Sequence, residues 1–475
     1  MTLLYPPPAV SSEISQPPST PSGSQLPASP SAALPPQLNN TLLNSAASPP
    51  SLPLQYSQTV YADSGLFNSA VKIVSSNSHG RDNFGSTLAI DRSGRFIFVG
   101  APKGDGMWRA GTGTVFVYDV GGSLAQCVEV AQISPPGRSE SLGSAFGSTI
   151  AISGSDALVG APGYNGGHGA VFILRLYGHT WALDSYSEMH KPMTSTQSRF
   201  GASIALFGTV AVVGEPGRGN VHVYEMNSAG ALIRWKHVTS LTPENSAYFI
   251  NFGAKVAVTE NHIFASSGGH TSVVHVFRRH EANIFGGQWR LEYIISRLSV
   301  NSFGHSIAVD RDQAIIGAPF KMGGGAAYVY ERSGTSWLMR KDLGLELMKV
   351  PRFGESVSIL NDRAVVGAPS THNSGMHIFE KRHSSSWDRG CSVKTVIGDH
   401  TFVADREYGL VVQQSSYHVL VGTNNRNGWF NVPSVHGAYL YEFAHSATTP
   451  NFATAGICPL QAVIFGFVIP VLALF

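Results

Sequence analysis

The sequence predicts an all-β protein, a seven-bladed β-propeller with four-stranded antiparallel blades whose ring is closed by an N-terminal strand. Two short motifs, Phe-Gly and Gly-Ala-Pro, alternate along the middle of the chain. Alternating apolar runs follow each pair of motifs. Such repeats, each roughly 40 to 50 residues long and containing several short strands, are typical of sheets stacked around an axis.

The Phe-Gly motif marks the start of each repeat. Successive copies lie between 50 and 62 residues apart, and the seventh copy has Tyr in place of Phe. We expect the aromatic ring to be buried between neighbouring blades and the glycine to let backbones approach closely. The aromatic positions are Phe84, Phe146, Phe200, Phe252, Phe303, Phe353 and Tyr408.

The Gly-Ala-Pro motif follows the aromatic residue by 16 positions in the first repeat and by 14 in the others. Fourteen residues accommodate two short strands and a tight turn. A third alternating run, such as VFVYDV or AAYVYER, and a fourth run, often opened by Trp, complete a four-stranded repeat. The third copy reads Gly-Glu-Pro at 214–216, and two copies are degenerate: Ser-Ser at 266–267 and Gly-Thr at 422–423.

The two ends of the repeat region predict how the ring closes. The seventh repeat stops after its third run, GAYLYEF, and residues 66–76 form an apolar run that belongs to no complete repeat. We therefore expect residues 66–76 to supply the fourth strand of blade 7. A ring joined across its two chain ends leaves only short exposed edges.

These motifs together resemble the FG-GAP repeat family, which includes the β-propeller of integrin α-subunits. The closer likeness is to compact bacterial-type repeats with the pattern FGxSVAxxxDxAxVGAP, and it covers residues 66 to 443. The integrin resemblance implies ligand binding and adhesion. Many integrin-type blades carry a calcium loop, Asp-x-Asp-x-Asp-Gly, but here only Asp310 and Asp312 place two carboxylates in such a turn. We predict no metal and no cofactor.

Two long loops are the candidate ligand contacts. They lie after the second motif in blades 1 and 7, which a closed ring makes neighbours, and each contains an Arg and a Trp. These residue types are enriched at binding hot spots. The candidates are Trp108, Arg109, Arg426 and Trp429, with a protein or a glycan as the ligand; packing of these aromatic rings against their own blades is the alternative.

The sequence gives little support for catalysis, nucleic-acid binding or a metal site. There is no nucleophile elbow, P-loop or HExxH motif, so we predict that the chain is not an enzyme. The net charge of +2 does not indicate a basic surface that would bind nucleic acid. Cys127, Cys391 and Cys458 suit neither a disulfide framework nor a zinc site. We interpret the four histidines that follow the second motif as solvated loop residues: His168, His270, His372 and His436.

The segments outside the propeller suggest a membrane-attached protein. Residues 1–56 are rich in Pro and Ser and are predicted to be a disordered leader without a secretory signal. The propeller is assigned to residues 57–445. Residues 446–475 comprise a spacer and an apolar run, predicted to be a membrane segment or a GPI-type signal.

The sequence therefore predicts a membrane-attached, non-enzymatic propeller at the cell surface that binds a protein or glycan through its loops, as in adhesion. Two alternatives stay open. One is a hydrolase or lyase with an active site at the channel mouth, which would need two carboxylates roughly 5 to 9 Å apart. The other is an intracellular scaffold anchored by its tail and facing the cytosol.

Overall fold

The computed structural model describes most of the propeller. It covers residues 67–76, 82–103, 111–121, 124–136, 143–189, 197–227, 234–244, 251–268, 272–283, 286–297, 300–346, 350–370, 375–381, 387, 391–397, 407–423 and 437–444. The predicted leader (1–56) and the predicted tail (446–475) lie outside these ranges, so both stay predictions.

The described residues form seven four-stranded antiparallel sheets, and in blades 1 to 6 the strands follow chain order from the channel outward. Blades 1 to 3 contain β2 (Thr87–Ile90), β3 (Phe96–Ala101), β4 (Thr114–Asp119), β5 (Val128–Ile133); β6 (Thr149–Ser153), β7 (Asp156–Ala161), β8 (Ala170–Tyr177), β9 (Thr180–Glu188); and β10 (Ser203–Phe207), β11 (Val210–Glu215), β12 (Asn220–Asn227), β13 (Arg234–Leu241).

Blades 4 to 6 repeat this arrangement, and blade 7 has three strands from its own repeat. The strands are β14 (Val256–Val258), β15 (His262–Ser267), β16 (Val273–Asn283), β17 (Gly286–Ser296); β18 (Ser306–Asp310), β19 (Gln313–Ala318), β20 (Ala326–Ser333), β21 (Ser336–Asp342); β22 (Ser356–Leu360), β23 (Arg363–Ala368), β24 (Gly375–Lys381), β25 (Cys391–Ile397); and β26 (Val411–Gln414), β27 (His418–Thr423), β28 (Gly437–Phe443). One helical turn, α1 (Tyr164–Gly167), follows β7.

The N-terminal strand β1 (Phe67–Ile73) closes the ring. It pairs antiparallel with β28 and is the outer strand of blade 7, with Val71 opposite Leu440 and Ile73 opposite Ala438. Both β1 residues are buried in an apolar cluster that also contains Phe84 of blade 1. The seven-bladed ring and its closure by an N-terminal strand are thus confirmed.

Each seam between neighbouring blades is filled by one apolar cluster of the described residues. The aromatic residue of every Phe-Gly motif is at most 2% exposed. It packs against a ring at one constant position of the third strand, as Phe146 does against Phe172 with centroids 5.5 Å apart. The third-strand rings are Phe116, Phe172, His222, His275, Tyr328, His377 and Tyr439.

The glycines of the two motifs interlock consecutive blades at the inner rim, which we define as this ring of glycine contacts. A Cβ atom added to Gly160 in blade 2 would lie 2.2 Å from the carbonyl oxygen of Gly201 in blade 3. The same contact joins blade 7 to blade 1, between Gly422 and Gly85. The Phe-Gly glycines have φ between 83° and 90°, the left-handed region that glycine tolerates best. Both motifs are therefore required by backbone geometry.

Candidate ligand-binding face

The loops before Phe-Gly and after Gly-Ala-Pro lie on one face of the ring, which we call the loop face. Backbone hydrogen bonds tie the two kinds of loop together: the amide of Lys103 donates to the carbonyl of Asp82 over 3.0 Å, and that of Gly217 to Ser198 over 3.1 Å. The opposite face carries the hairpin turns and is called the turn face. Because both loops of each blade start at rigid strand ends, the loop face is a suitable platform for recognition.

The four candidate contacts predicted from sequence, Trp108, Arg109, Arg426 and Trp429, lie outside the described residues. The structure does place their blades side by side, because β2 of blade 1 contacts β26 and β27 of blade 7. A role for these residues in ligand binding stays a prediction.

A cluster of charged residues lies at the channel mouth on the loop face of blades 5 to 7. Arg352, the residue before Phe353, contacts Glu355 over 3.1 Å and Glu407 over 3.4 Å. Nε2 of His305 lies 3.3 Å from Glu355. Burial by itself would raise the pKa of Glu355, but hydrogen bonds from His305 and Arg352 outweigh it and lower the pKa to about 2. Glu355 is therefore ionised at neutral pH.

Lys255 adds a cation at the inner end of blade 4. It directly precedes β14, and its carbonyl accepts a hydrogen bond of 2.9 Å from the amide of Ser266. Its side chain is exposed. The surrounding ring lowers the pKa of Lys255 through desolvation, and the negative charge of Glu355 opposes this shift. The channel mouth thus combines the ammonium group of Lys255 with the carboxylates of Glu355 and Glu407, which are ion-paired with Arg352.

Exposed apolar side chains lie in the loops of blade 5, and one of them contacts this charged cluster. Phe320 is 54% exposed, Met322 90% and Leu345 79%. The Phe320 ring packs edge-on against His305, with centroids 5.8 Å apart. Lys321, between the first two, is fixed by an ion pair of 2.8 Å with Asp342. Apolar side chains next to fixed charges are typical of a surface that binds a partner.

The opposite mouth of the channel is crossed by an ion pair. Nη2 of Arg92, in the first turn of blade 1, lies 3.1 Å from Oδ1 of Asp310 in blade 5. The other oxygen of Asp310 accepts the amide of Asn361 from blade 6 over 3.0 Å. Asp312 lies instead 3.6 Å from Arg332. The two carboxylates singled out in the sequence therefore serve different partners, and no group of three His, Cys, Asp or Glu side chains suited to a metal occurs among the described residues.

Sequence reasoning missed the histidines with the most unusual surroundings. His222, His275 and His377 are buried at the third-strand ring position, and burial lowers the pKa of His275 and of His377 to about 4. The runs NVHVYEM, VVHVFRR and GMHIFEK carried the signal, since His stands where the other repeats have Phe or Tyr. Of the predicted loop histidines, His168 is half-buried, and the other three lie outside the described residues.

Cys127 packs in the apolar cluster between blades 7 and 1. Burial raises the pKa of its thiol to about 12, so the thiol is protonated at neutral pH. A buried, protonated thiol is a poor nucleophile and a poor metal ligand. Neither the side chain of Cys391 nor residue Cys458 belongs to the described part of the chain.

Comparison with known proteins finds similarity in structure only. The sequence matches no protein-family model and no curated protein. Its structure is similar to the WD40 β-propeller domain of Doa1, with 11% identity and a TM-score of 0.48 over 80% of this chain and 97% of that one.

Other similar structures are a candidate 6-phosphogluconolactonase from Bacteroides uniformis (9% identity, TM-score 0.47, 66% of this chain, 85% of that one) and Hsv2 from Kluyveromyces lactis (10%, 0.43, 75% and 97%). Likeness at this level indicates no shared ligand or activity. Within the described ranges, no helix is long and apolar enough to cross a membrane.

Proposed function

We propose that this chain is a propeller of the FG-GAP type that binds a protein through its loop face, on blades 4 to 7. The observation that carries the proposal is the exposure of Phe320, Met322 and Leu345 in the loops of blade 5, where Phe320 contacts His305 of the ion-paired cluster around Arg352. Met and Leu offer no hydrogen bonds to sugar hydroxyls, so these side chains favour a protein over a glycan. Trp108, Arg109, Arg426 and Trp429 would extend the same face across blades 1 and 7.

The channel mouth is better suited to recognition than to acid–base catalysis. A hydrolase or lyase there would need a carboxyl group able to donate a proton near neutral pH. Glu355 has a pKa of about 2, and Glu407 is held by the same guanidinium group. We therefore propose that the channel mouth of this propeller is non-enzymatic.

Attachment to a membrane, with the propeller at the cell surface in an adhesion role, is a second part of the proposal. It rests on the apolar run at residues 457–475 and on the resemblance to integrin propellers. Surface labelling of intact cells, with and without a phospholipase that cleaves GPI anchors, tests it. Release by the enzyme would support a GPI anchor, whereas labelling only after permeabilisation would favour the cytosolic scaffold.

Substitution on the loop face tests the binding surface. Cells displaying the full chain are assayed for adhesion to immobilised extracellular proteins and to a glycan panel. Phe320→Ser with Met322→Ser should reduce adhesion to the protein ligand by at least about 10-fold, because buried apolar anchors carry much of the binding energy.

The matched control is Tyr177→Ser with Tyr417→Ser, which changes two side chains on the turn face that are 52% and 49% exposed. Equal loss of adhesion in both double variants would contradict a binding site on the loop face. Adhesion to glycans alone would contradict the choice of a protein ligand.

A further inference from the structure

Blade 3 departs from the other blades at two buried positions near the loop face. Its second strand ends with Glu215 where blades 1, 2, 5 and 6 have Ala, and the carboxylate is fully buried. Its third-strand ring is His222, where blades 1 and 2 have Phe. A buried carboxylate is costly unless hydrogen bonds compensate it. This pair is therefore a specific feature of blade 3.

A chain of hydrogen bonds leads from this carboxylate to the surface. Oε2 of Glu215 lies 2.9 Å from Nε2 of His222, and Nδ1 of the same ring lies 2.9 Å from Oγ of Ser240. Nε2 of His237 lies 3.1 Å from that same Oγ. Ser240 stands directly opposite His222 in the pairing of β12 with β13, and it is exposed. An exposed serine is thus connected through its hydroxyl to a buried imidazole and a buried carboxylate.

The protonation state of the carboxylate sets the direction of these bonds. Burial would raise the pKa of Glu215, but hydrogen bonds from His222, Asn220 and Ser198 outweigh it and lower the pKa to about 2. An ionised carboxylate only accepts hydrogen bonds, so Nε2–H of His222 donates to it. In the neutral ring, Nδ1 then carries a lone pair and accepts the hydroxyl proton of Ser240. Hydroxyl, imidazole and carboxylate have the order that activates a serine.

We propose that Ser240 is an activated nucleophile towards ester and thioester carbonyl groups, with His222 as its general base and Glu215 as the positioning residue. Glu215 orients the imidazole and stabilises the imidazolium that forms. The tautomer of His237 that carries its proton on Nε2 places an N–H group close enough to Ser240 to donate to the developing oxyanion. This inference goes beyond the proposed function, since the site lies on blade 3 and uses no residue of the channel mouth.

The proposed reaction is acyl transfer in two steps. Oγ of Ser240 bonds to the carbonyl carbon as its proton passes to Nδ1 of His222, and the bond to the leaving alcohol or thiol breaks as that proton is returned to it. Water then attacks the acyl-serine, giving its proton to Nδ1. The bond between Oγ and the acyl carbon breaks, and Oγ takes the proton back. The net reaction consumes one water and yields a carboxylic acid.

A fluorophosphonate probe, which bonds covalently to activated serines, tests the proposal on the full chain. Peptide mass spectrometry locates the labelled residue and gives its labelling rate. We expect Ser240 to react at least about 100-fold faster than Ser93, as general-base assistance contributes roughly 10² or more. Ser93 is the matched control, because it is exposed and hydrogen-bonded to the Asp91 carboxylate without an imidazole between them.

Three variants separate activation from a purely structural network. His222→Phe restores the ring found in blades 1 and 2 and should lower the rate at Ser240 to that of Ser93. Glu215→Gln keeps a hydrogen-bonding group without the charge and should slow labelling at least about 10-fold. Ser240→Ala should abolish the label.

The pH profile provides a further measurement. The labelling rate of Ser240 should depend on pH more steeply than that of Ser93, and Glu215→Gln should change this dependence. Labelling of Ser240 no faster than Ser93, or unchanged labelling in His222→Phe or in Glu215→Gln, would overturn the proposal.

Discussion

The inner rim and the third-strand ring positions differ in which residue types they tolerate. At the rim, six blades have Gly as the next-to-last residue of their second strand, and an added Cβ would come within 2.0 to 2.2 Å of the next blade's carbonyl oxygen. The third-strand position carries Phe, Tyr or His. Backbone contact leaves no room for a side chain at these six rim positions, whereas a seam needs an aromatic or imidazole ring of suitable volume. The seams, unlike the rim, can therefore acquire polar chemistry.

Blade 4 shows how much the rim can vary. It has Ser266 in place of the rim glycine, and a Cβ added to Gly304 of blade 5 would lie 3.1 Å from the Cβ of Ser266. Its first strand, β14, spans only three residues. The hydrogen bond from the amide of Gly253 to the carbonyl of Ser266 is nevertheless kept, at 2.9 Å. One relaxed contact is compatible with the ring when the neighbouring backbone is spaced more widely.

A charge without a partner should break a seam. Ile73 of β1 is 1% exposed between blades 7 and 1, so Ile73→Asp should lower the free energy of unfolding by about 4 kcal/mol. Urea denaturation followed by tryptophan fluorescence measures the change. Asn68→Asp, an exposed position on the same strand, is the control and should be close to neutral. Similar losses in both variants would show that the seam is not closed by β1.

A methyl group at the rim should have the next largest effect. Gly160→Ala should cost about 3 kcal/mol of unfolding free energy, because the added Cβ overlaps the carbonyl of Gly201. Gly178→Ala is the control. That glycine has φ of 63° but nothing within 4 Å of an added Cβ, so we expect a loss of about 1 kcal/mol. A smaller loss at Gly160 than at Gly178 would refute the rim as the stricter region.

The seam histidines should make stability depend on pH. The pKa of His377 is about 4 in the folded chain and 6.5 in the unfolded chain. Between these values only the unfolded chain binds the proton, so stability falls as the pH is lowered from 6.5 to 4. The loss is on the order of 3 kcal/mol.

His377→Phe should remove this part of the pH dependence, measured as the thermal midpoint from pH 7 to 4. Exposed His179→Phe is the control and should leave the dependence unchanged. An unchanged slope in His377→Phe would show that this seam tolerates the charged ring.

The ion pair at the turn-face mouth should contribute least. The side chain of Arg92 is 56% exposed, so Arg92→Ala should cost less than about 1 kcal/mol, and less still in high salt. Asp310→Asn should cost about 1 to 2 kcal/mol, because the buried carboxylate also accepts the Asn361 amide. Chemical denaturation at two salt concentrations compares them. A larger loss of unfolding free energy in Arg92→Ala than in Asp310→Asn would mean that the turn-face mouth depends on this ion pair.

The period of the motifs was sufficient to predict the number of blades and the strand that closes the ring, because a seventh repeat without a fourth run requires one from elsewhere. The cluster of Arg352, Glu355 and Glu407 was not predicted. These residues flank Phe353 and Tyr408 in repeats about 50 residues apart, and only the ring brings them together. Trp108 and Arg426, chosen from loop length and residue type, remain predictions.

The sequence by itself determined the architecture of this protein, because its repeated glycines and aromatic residues encode backbone contacts that recur at a fixed period. The tertiary structure decided which polar residues meet. Glu215, His222 and Ser240 stand on three strands of blade 3, and nothing in their spacing shows that they form one hydrogen-bonded chain. Local pattern specifies strands and turns, whereas the register between strands determines which side chains face one another.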